Sequence, residues 1–171
     1  MTERYIRAWM KADWPAAAAI YEEGIQEPDA TFEEIVPDWD DWDRVHLQRG
    51  RLMVETAGVM AAWTALAPVS ARRAYAGAAE VSIYAASWAR GQGIGKELLA
   101  ALEEEAAAAG IWTLQATIFA DNEPSLRLHS RAGFRTVGRR EKIARKNGCW
   151  KDTIIMEKRS RWIGREESEH V

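Results

Sequence analysis

Apolar and polar positions along the 171-residue chain change period several times, and each change marks an element. Tyr5-Ile6-Arg7-Ala8-Trp9 alternates, which predicts an opening strand. Asp13 stands where a helix N-cap belongs, with Pro15 in the first turn, and Ala16 to Glu23 continues a helix that Gly24 is expected to stop. Residues 28–37 read as a connection. Asp38 to Gln48 predicts a second helix, carrying Trp39, Trp42, Val45 and Leu47 and closed by Gly50. Arg51 to Glu55 and Val59 to Leu66 predict a hairpin around Thr56-Ala57-Gly58. A polar loop over 68–77 leads to a strand that puts Glu80, Ser82 and Tyr84 on one face and Val81, Ile83 and Ala85 on the other.

The longest periodic run follows, from Gly93 to Ala109. Ile94, Leu98, Leu99, Leu102 and Ala106 form its apolar stripe, Glu103, Glu104 and Glu105 are expected mostly outside, and Gly110 is its stop. Thr113 to Ile118 is a further strand. Asn122 can cap a helix that tolerates Pro124 in its first turn and ends before Gly133. Val137–Ile143 and Thr153–Glu157 predict a last strand pair around Asn147-Gly148. The predicted order is βααβββαβαββ: an α/β chain with a mixed central sheet and helices on both faces. We expect one domain over residues 1–160 and a charged, exposed tail over 161–171.

Composition narrows the class. Hydrophobic residues make up 47% and charged residues 29%, as in a globular protein, and the net charge of −3 gives no reason to expect a nucleic-acid partner. The single Cys149 excludes an intrachain disulfide and offers no metal cluster. No basic region leads into an apolar run at the N-terminus, and no apolar stretch is long enough to span a bilayer, so the expected location is the cytoplasm, away from membranes. Nine tryptophans are many for this length, and some are expected to line a pocket or a subunit interface.

The chemistry is concentrated in Arg90-Gly91-Gln92-Gly93-Ile94-Gly95-Lys96, between a strand and the long helix. Glycines let the backbone turn tightly, and the unpaired N–H groups of the helix start point the same way as its dipole; together they suit a pyrophosphate. A P-loop requires Ser or Thr after the lysine, whereas Lys96 is followed by Glu97, and a Rossmann fingerprint would open the first βαβ unit. A glycine-rich turn without ligand is the remaining alternative.

The pattern R-x-x-G-x-G resembles the acetyl-CoA pyrophosphate loop of the GNAT superfamily of N-acyltransferases, and the element order matches that fold along nearly the whole chain. Asn122-Glu123-Pro124-Ser125-Leu126-Arg127-Leu128-His129, ending Ala132-Gly133-Phe134, resembles the segment after that family's fifth strand. Thr31-Phe32-Glu33, Arg72-x-x-Tyr75 before Glu80, and Gly148-x-Trp150-x-Asp152 resemble one branch, the phosphinothricin/methionine sulfoximine N-acetyltransferases. Members of that branch can carry a lysine two residues before the loop arginine. Ser70 stands there, which leaves Arg72 or Arg73 to meet an anionic substrate group.

The resemblance implies acetyl transfer from acetyl-CoA, without a metal, to the α-amino group of a small amino-acid-like substrate. Phosphinothricin, methionine sulfoximine and methionine sulfone are the expected types, and a homodimer is the expected assembly. It makes Glu80 the candidate base and His129 the candidate acid toward the leaving thiolate or the residue that orders a water. The backbone of Arg90, Gly91, Gln92, Gly93, Ile94, Gly95 and Lys96 would hold the pyrophosphate. Ile83, Tyr84 and Ala85 would pair with the pantetheine amides as an added strand, with Asn122 and Ser125 on the same arm. Phe32, Arg72, Tyr75 and Glu80 would contact the substrate, Trp63 would help wall the pocket, and Trp150 and Asp152 would help close the site across a dimer interface. The alternatives are acetylation of a protein N-terminus, as in ribosomal-protein acetyltransferases, and a CoA-binding regulatory module without catalysis.

Overall fold

Two turns show how local chemistry shapes the sheet. Ala57 and Gly58 have φ of 50° and 77°, and Asn147 and Gly148 have 49° and 78°. Positive φ at both central residues matches the right-handed twist of the flanking strands, so each turn closes a two-residue hairpin. The computed structural model describes residues 3–165. Its elements are β1 (Arg4–Ala8), α1 (Trp14–Gln26), α2 (Trp39–Val45), β2 (Leu52–Thr56), β3 (Val59–Pro68), β4 (Ala78–Ala85), α3 (Ile94–Ala108), β5 (Thr113–Phe119), α4 (Glu123–Arg131), β6 (Arg135–Lys146) and β7 (Cys149–Arg159). This is the βααβββαβαββ order expected from the sequence.

The sheet runs β1-β2-β3-β4-β5-β7-β6. Every neighbouring pair is antiparallel except β4–β5, which α3 joins as a crossover. Trp63 lies opposite Tyr84, and Glu80 opposite Ala67 and Gln115, so these side chains share one face of the sheet. That face is covered by α1: the Trp63 indole N–H donates to the Ala17 carbonyl (3.0 Å), and Tyr21 packs 4.8 Å from Tyr84. The opposite face takes the stripe of α3, where Leu99, Leu102 and Ala106 are buried with Leu66, Val81 and Leu114. Truncating Leu102 would remove packed methyl groups at a cost of about 2–5 kcal/mol.

Four local expectations need correction. Gly24 does not stop α1, which continues to Gln26. A Cβ at Gly24 would lie 2.8 Å from Tyr84 ring carbons, so this glycine allows helix and strand to approach closely. The second helix ends at Val45, not Gln48; the His46 imidazole bonds the Trp42 carbonyl at 2.7 Å and stacks on the Trp42 ring. Glu103 is buried, held by Lys158 Nζ at 2.5 Å. Lys158 also donates to the Ala132 carbonyl, tying α3 and the end of α4 to β7. Trp63 is fully buried and belongs to the core, not to a pocket wall.

Five of the nine tryptophans gather in one corner of this core. Trp9, Trp14, Trp39, Trp42 and Trp63 pack with ring centroids 5.0–6.3 Å apart. Arg51, itself buried, stands 5.0 Å from the Trp42 ring and 5.5 Å from Trp39. It pairs with Asp43 at 2.6 Å and donates to the Leu47 carbonyl at 2.8 Å. Of the expected tail, residues 161–165 follow β7 and are exposed except for the half-buried Ile163; residues 166–171 lie outside the described residues.

Candidate active site

β4 and β5 pair through only three residues, Ala78↔Thr113, Ala79↔Leu114 and Glu80↔Gln115. Beyond Glu80 the strands part. The β5-facing main-chain groups of Val81 to Ala85 then have no strand partner, although the other edge of β4 stays paired to β3 through Ala62. Such an open edge can accept an extended ligand that carries amides. Ile83, Tyr84 and Ala85 stand on it. The Tyr84 side chain itself turns under α1, and burial pushes its hydroxyl pKa up.

Glu80 marks the point of parting. One carboxylate oxygen, Oε2, accepts from Gln115 Nε2 at 2.7 Å and from Thr117 Oγ1 at 3.0 Å. Neither β5 residue was singled out in the sequence. The available signal was the alternation of β5, which puts Gln115 and Thr117 on one face, together with the parallel register beside Glu80.

The glycine loop joins β4 to α3. Gly91 and Gly93 have φ of 74° and 81°, which side chains with a Cβ rarely adopt. Added Cβ atoms there would meet nothing within 4 Å, so the space above the loop is open. Gly93 is the N-cap of α3 and supplies no side-chain cap, which leaves first-turn N–H groups available to an anion. Gly95 has a different reason: its Cβ would lie 3.0 Å from Leu128, so it lets α3 and α4 approach. Ile94 is buried as the first anchor of α3. Arg90 is paired with Glu27 at 3.0 Å, and Gln92 Nε2 donates to the Trp88 carbonyl at 2.8 Å. Lys96 is exposed at the loop's end.

α4 carries the second set. Asn122 Oδ1 caps it by accepting from the Ser125 N–H (3.2 Å), and Asn122 Nδ2 donates to the Asp29 carbonyl (3.3 Å). Its amide thus links α4 to the loop that bears Phe32, instead of standing free for a ligand arm. His129 is 2% exposed, with its ring edge-on to Phe134. Its Nδ1 lies 2.8 Å from the Ser125 carbonyl, which can only accept, so Nδ1 carries the proton. Nε2 is then a bare acceptor, buried without a partner among the described residues. Burial lowers the imidazole pKa below its usual 6.5, partly opposed by the Ser125 carbonyl.

Phe32 packs on Phe119 of β5, 4.4 Å between centroids, which brings its loop over the Glu80 face. That loop is held down by Lys146, a buried lysine whose Nζ donates to the carbonyls of Ile25 (3.0 Å) and Thr31 (2.6 Å). Arg72 and Tyr75 are exposed on the loop before β4, with the guanidinium 5.9 Å from the phenol ring. Asp152 is engaged inside the chain. It accepts from the Lys142 N–H at 2.8 Å and from Arg139 at 2.6 Å, which holds a bulge in β6 and keeps its pKa below the usual carboxylate value. Trp150 is exposed, with Arg145 4.2 Å over its ring. Among the described residues no cluster of His, Cys, Asp or Glu could hold a metal ion.

An open strand edge, unfilled helix N–H groups above open space and an orphaned buried nitrogen together fit acetyl-CoA. Known proteins agree. The acetyltransferase (GNAT) family model matches residues 5–134. An L-methionine sulfoximine/L-methionine sulfone acetyltransferase of Pseudomonas paraeruginosa is 29% identical over 152 residues, covering 85% of this chain and 88% of that protein. A phosphinothricin N-acetyltransferase of Streptomyces coelicolor is 32% identical over 164 residues, 91% of this chain and 96% of its own. The solved phosphinothricin acetyltransferase of Sinorhizobium meliloti, in complex with acetyl-CoA, superposes with a TM-score of 0.82 at 29% identity, covering 94% of this chain and 89% of that one. With a strand parting from its neighbour beside a glycine-capped helix, and with relatives that cover most of its length, the chain belongs to the GNAT family as an acetyl-CoA-dependent N-acetyltransferase.

Proposed function

We propose that this enzyme transfers the acetyl group directly to the α-amino group of a small amino-acid-like substrate of the phosphinothricin, methionine sulfoximine or methionine sulfone type. Acetyl-CoA supplies the activated acetyl group; the residues below prepare the amine and manage the protons. An α-ammonium is mostly protonated at neutral pH and cannot attack. Glu80 takes its first proton through the oxygen that Gln115 and Thr117 leave open, directly or by way of one water, and releases it to solvent. The second amine proton leaves as the new amide forms. His129 Nε2 receives it and passes it to the departing sulfur, so protons balance and the imidazole returns neutral.

Phe32 on Phe119 forms the apolar wall, and Arg72 with Tyr75 meets the substrate's acidic group. Main-chain groups from Gly91 to Lys96 hold the pyrophosphate, and the open edge at 83–85 pairs with the pantetheine arm. Ser125 and Asn122 act by setting α4 and the acceptor loop. The same reading takes the enzyme to be a cytoplasmic homodimer whose action removes the cationic amine of a toxic glutamate analogue.

The observation that carries this reading is a carboxylate with one engaged and one open oxygen at the last residue before the strands part. A thiol-release assay with acetyl-CoA tests it, across phosphinothricin, methionine sulfoximine, methionine sulfone, methionine and a short peptide. Turnover on the first three is expected. No turnover on any α-amino acid, or a preference for the peptide, overturns the substrate assignment.

A further inference from the structure

We infer that Gln115 and Thr117 are positioning residues that decide which oxygen of Glu80 is basic. The inference rests on the reading of Glu80 above but concerns two residues to which no part has been given. Gln115 Nε2 and Thr117 Oγ1 stand 2.7 Å and 3.0 Å from the same oxygen, Oε2. An ionised carboxylate oxygen offers two in-plane lone pairs, and two donors take both. A proton arriving at Oε2 must displace one of them, so Oε1 is the oxygen that receives it. The donors also fix the plane of the carboxylate, so Oε1 has one direction of approach.

The two donors differ in their footing. Gln115 is opposite Glu80 in the last β4–β5 pair, where the backbones are still joined. Thr117 lies two residues further, on the part of β5 that has left β4, so its hydroxyl bridges the opening. Widening the opening lengthens that bond, which couples the geometry of the base to the gap between the strands.

Other charges on this face have partners or stand elsewhere. Glu157 of β7, opposite Gln115, is paired with Arg135 of β6. Lys151 of β7 stands 3.7 Å from Asp121. From α1 the titrating group is Tyr21, whose hydroxyl burial and Tyr84 push up. The flanking loops bring Glu33, Arg72, Arg73 and Tyr75, all exposed. Gln115 and Thr117 are the donors that reach Glu80 itself.

Thr117→Val keeps the shape and removes the donor, Thr117→Ser keeps the donor, and Gln115→Met removes the other. At neutral pH kcat should fall roughly 3- to 30-fold in Thr117→Val and Gln115→Met while KM for acetyl-CoA stays within about twofold, and Thr117→Ser should restore the wild-type kcat. A residue that merely supports the strand would change the melting temperature and leave kcat in place. Infrared difference spectra of the free enzyme, wild type minus Glu80→Gln, read the same carboxylate without turnover, and its antisymmetric stretch should move in both donor-less variants and return in Thr117→Ser. Folded variants with an unmoved band and an unchanged kcat overturn the inference. A wild type silent toward every amine overturns the functional reading instead, so the two failures come from different experiments.

Discussion

The tryptophan corner and the parting of β4 from β5 are built on opposite principles. In the corner, Arg51 is buried yet has an ion-pair partner in Asp43, the Leu47 carbonyl and two indole faces. The indole N–H groups of Trp9 and Trp63 are bonded to the carbonyls of Thr64 and Ala17. Among the described residues, the β5-facing strand groups beyond Glu80, the first-turn N–H groups of α3 and His129 Nε2 on α4 lack protein partners. A fold tolerates such a deficit where something else is to supply the missing partners. The corner should therefore answer to stability measurements, and the parting to kinetic ones.

Variants can break that contrast. Glu80→Gln keeps size and both neighbours' donors, and should lower kcat by about 10²–10⁴-fold with little change in melting temperature; comparable loss of stability would make Glu80 a packing residue. Arg51→Ala removes a buried guanidinium from two indole faces and from the Leu47 carbonyl, and should cost about 1–3 kcal/mol in urea unfolding while kcat at 25 °C stays near wild type. Gly93→Ala falls between. Its φ of 81° makes alanine cost about 1–2 kcal/mol, but the larger readout should be a roughly tenfold rise in KM for acetyl-CoA, because the methyl enters the open space above the loop.

The smallest effect is on pH. His129 and His46 both have pKa values lowered by burial, so the unfolded chain binds more protons in the window between the folded values and 6.5. Their contribution to stability is fully present above 6.5 and is lost as pH falls through the folded values. Melting temperature should rise with pH across that window, and His129→Gln should flatten the slope in part. An unchanged slope would mean that His129 stays protonatable within the fold.

Element order and the glycine loop could be read from the sequence because they rest on local signals: period, caps and positive φ. Asn122, Pro124 and Gly133 bounded α4 as expected. Two of the misread features depend on a distant partner. Gly24 looks like a stop until Tyr84, sixty residues on, lies against it. Glu103 looks solvated until Lys158 reaches it. Glu80 was found through a family resemblance, but its holders are set by strand register, which spacing along one chain does not specify. Lys146 gave no signal either, since its two carbonyl partners come from residues more than a hundred positions away.

Three backbone pairs are all that join the N-terminal four strands to the C-terminal three along the sheet. The molecule is in that respect two plates on a narrow hinge, and a ligand lying in the gap serves as the missing brace. Saturation with coenzyme A should slow amide exchange on both plates at once, far beyond the atoms it touches.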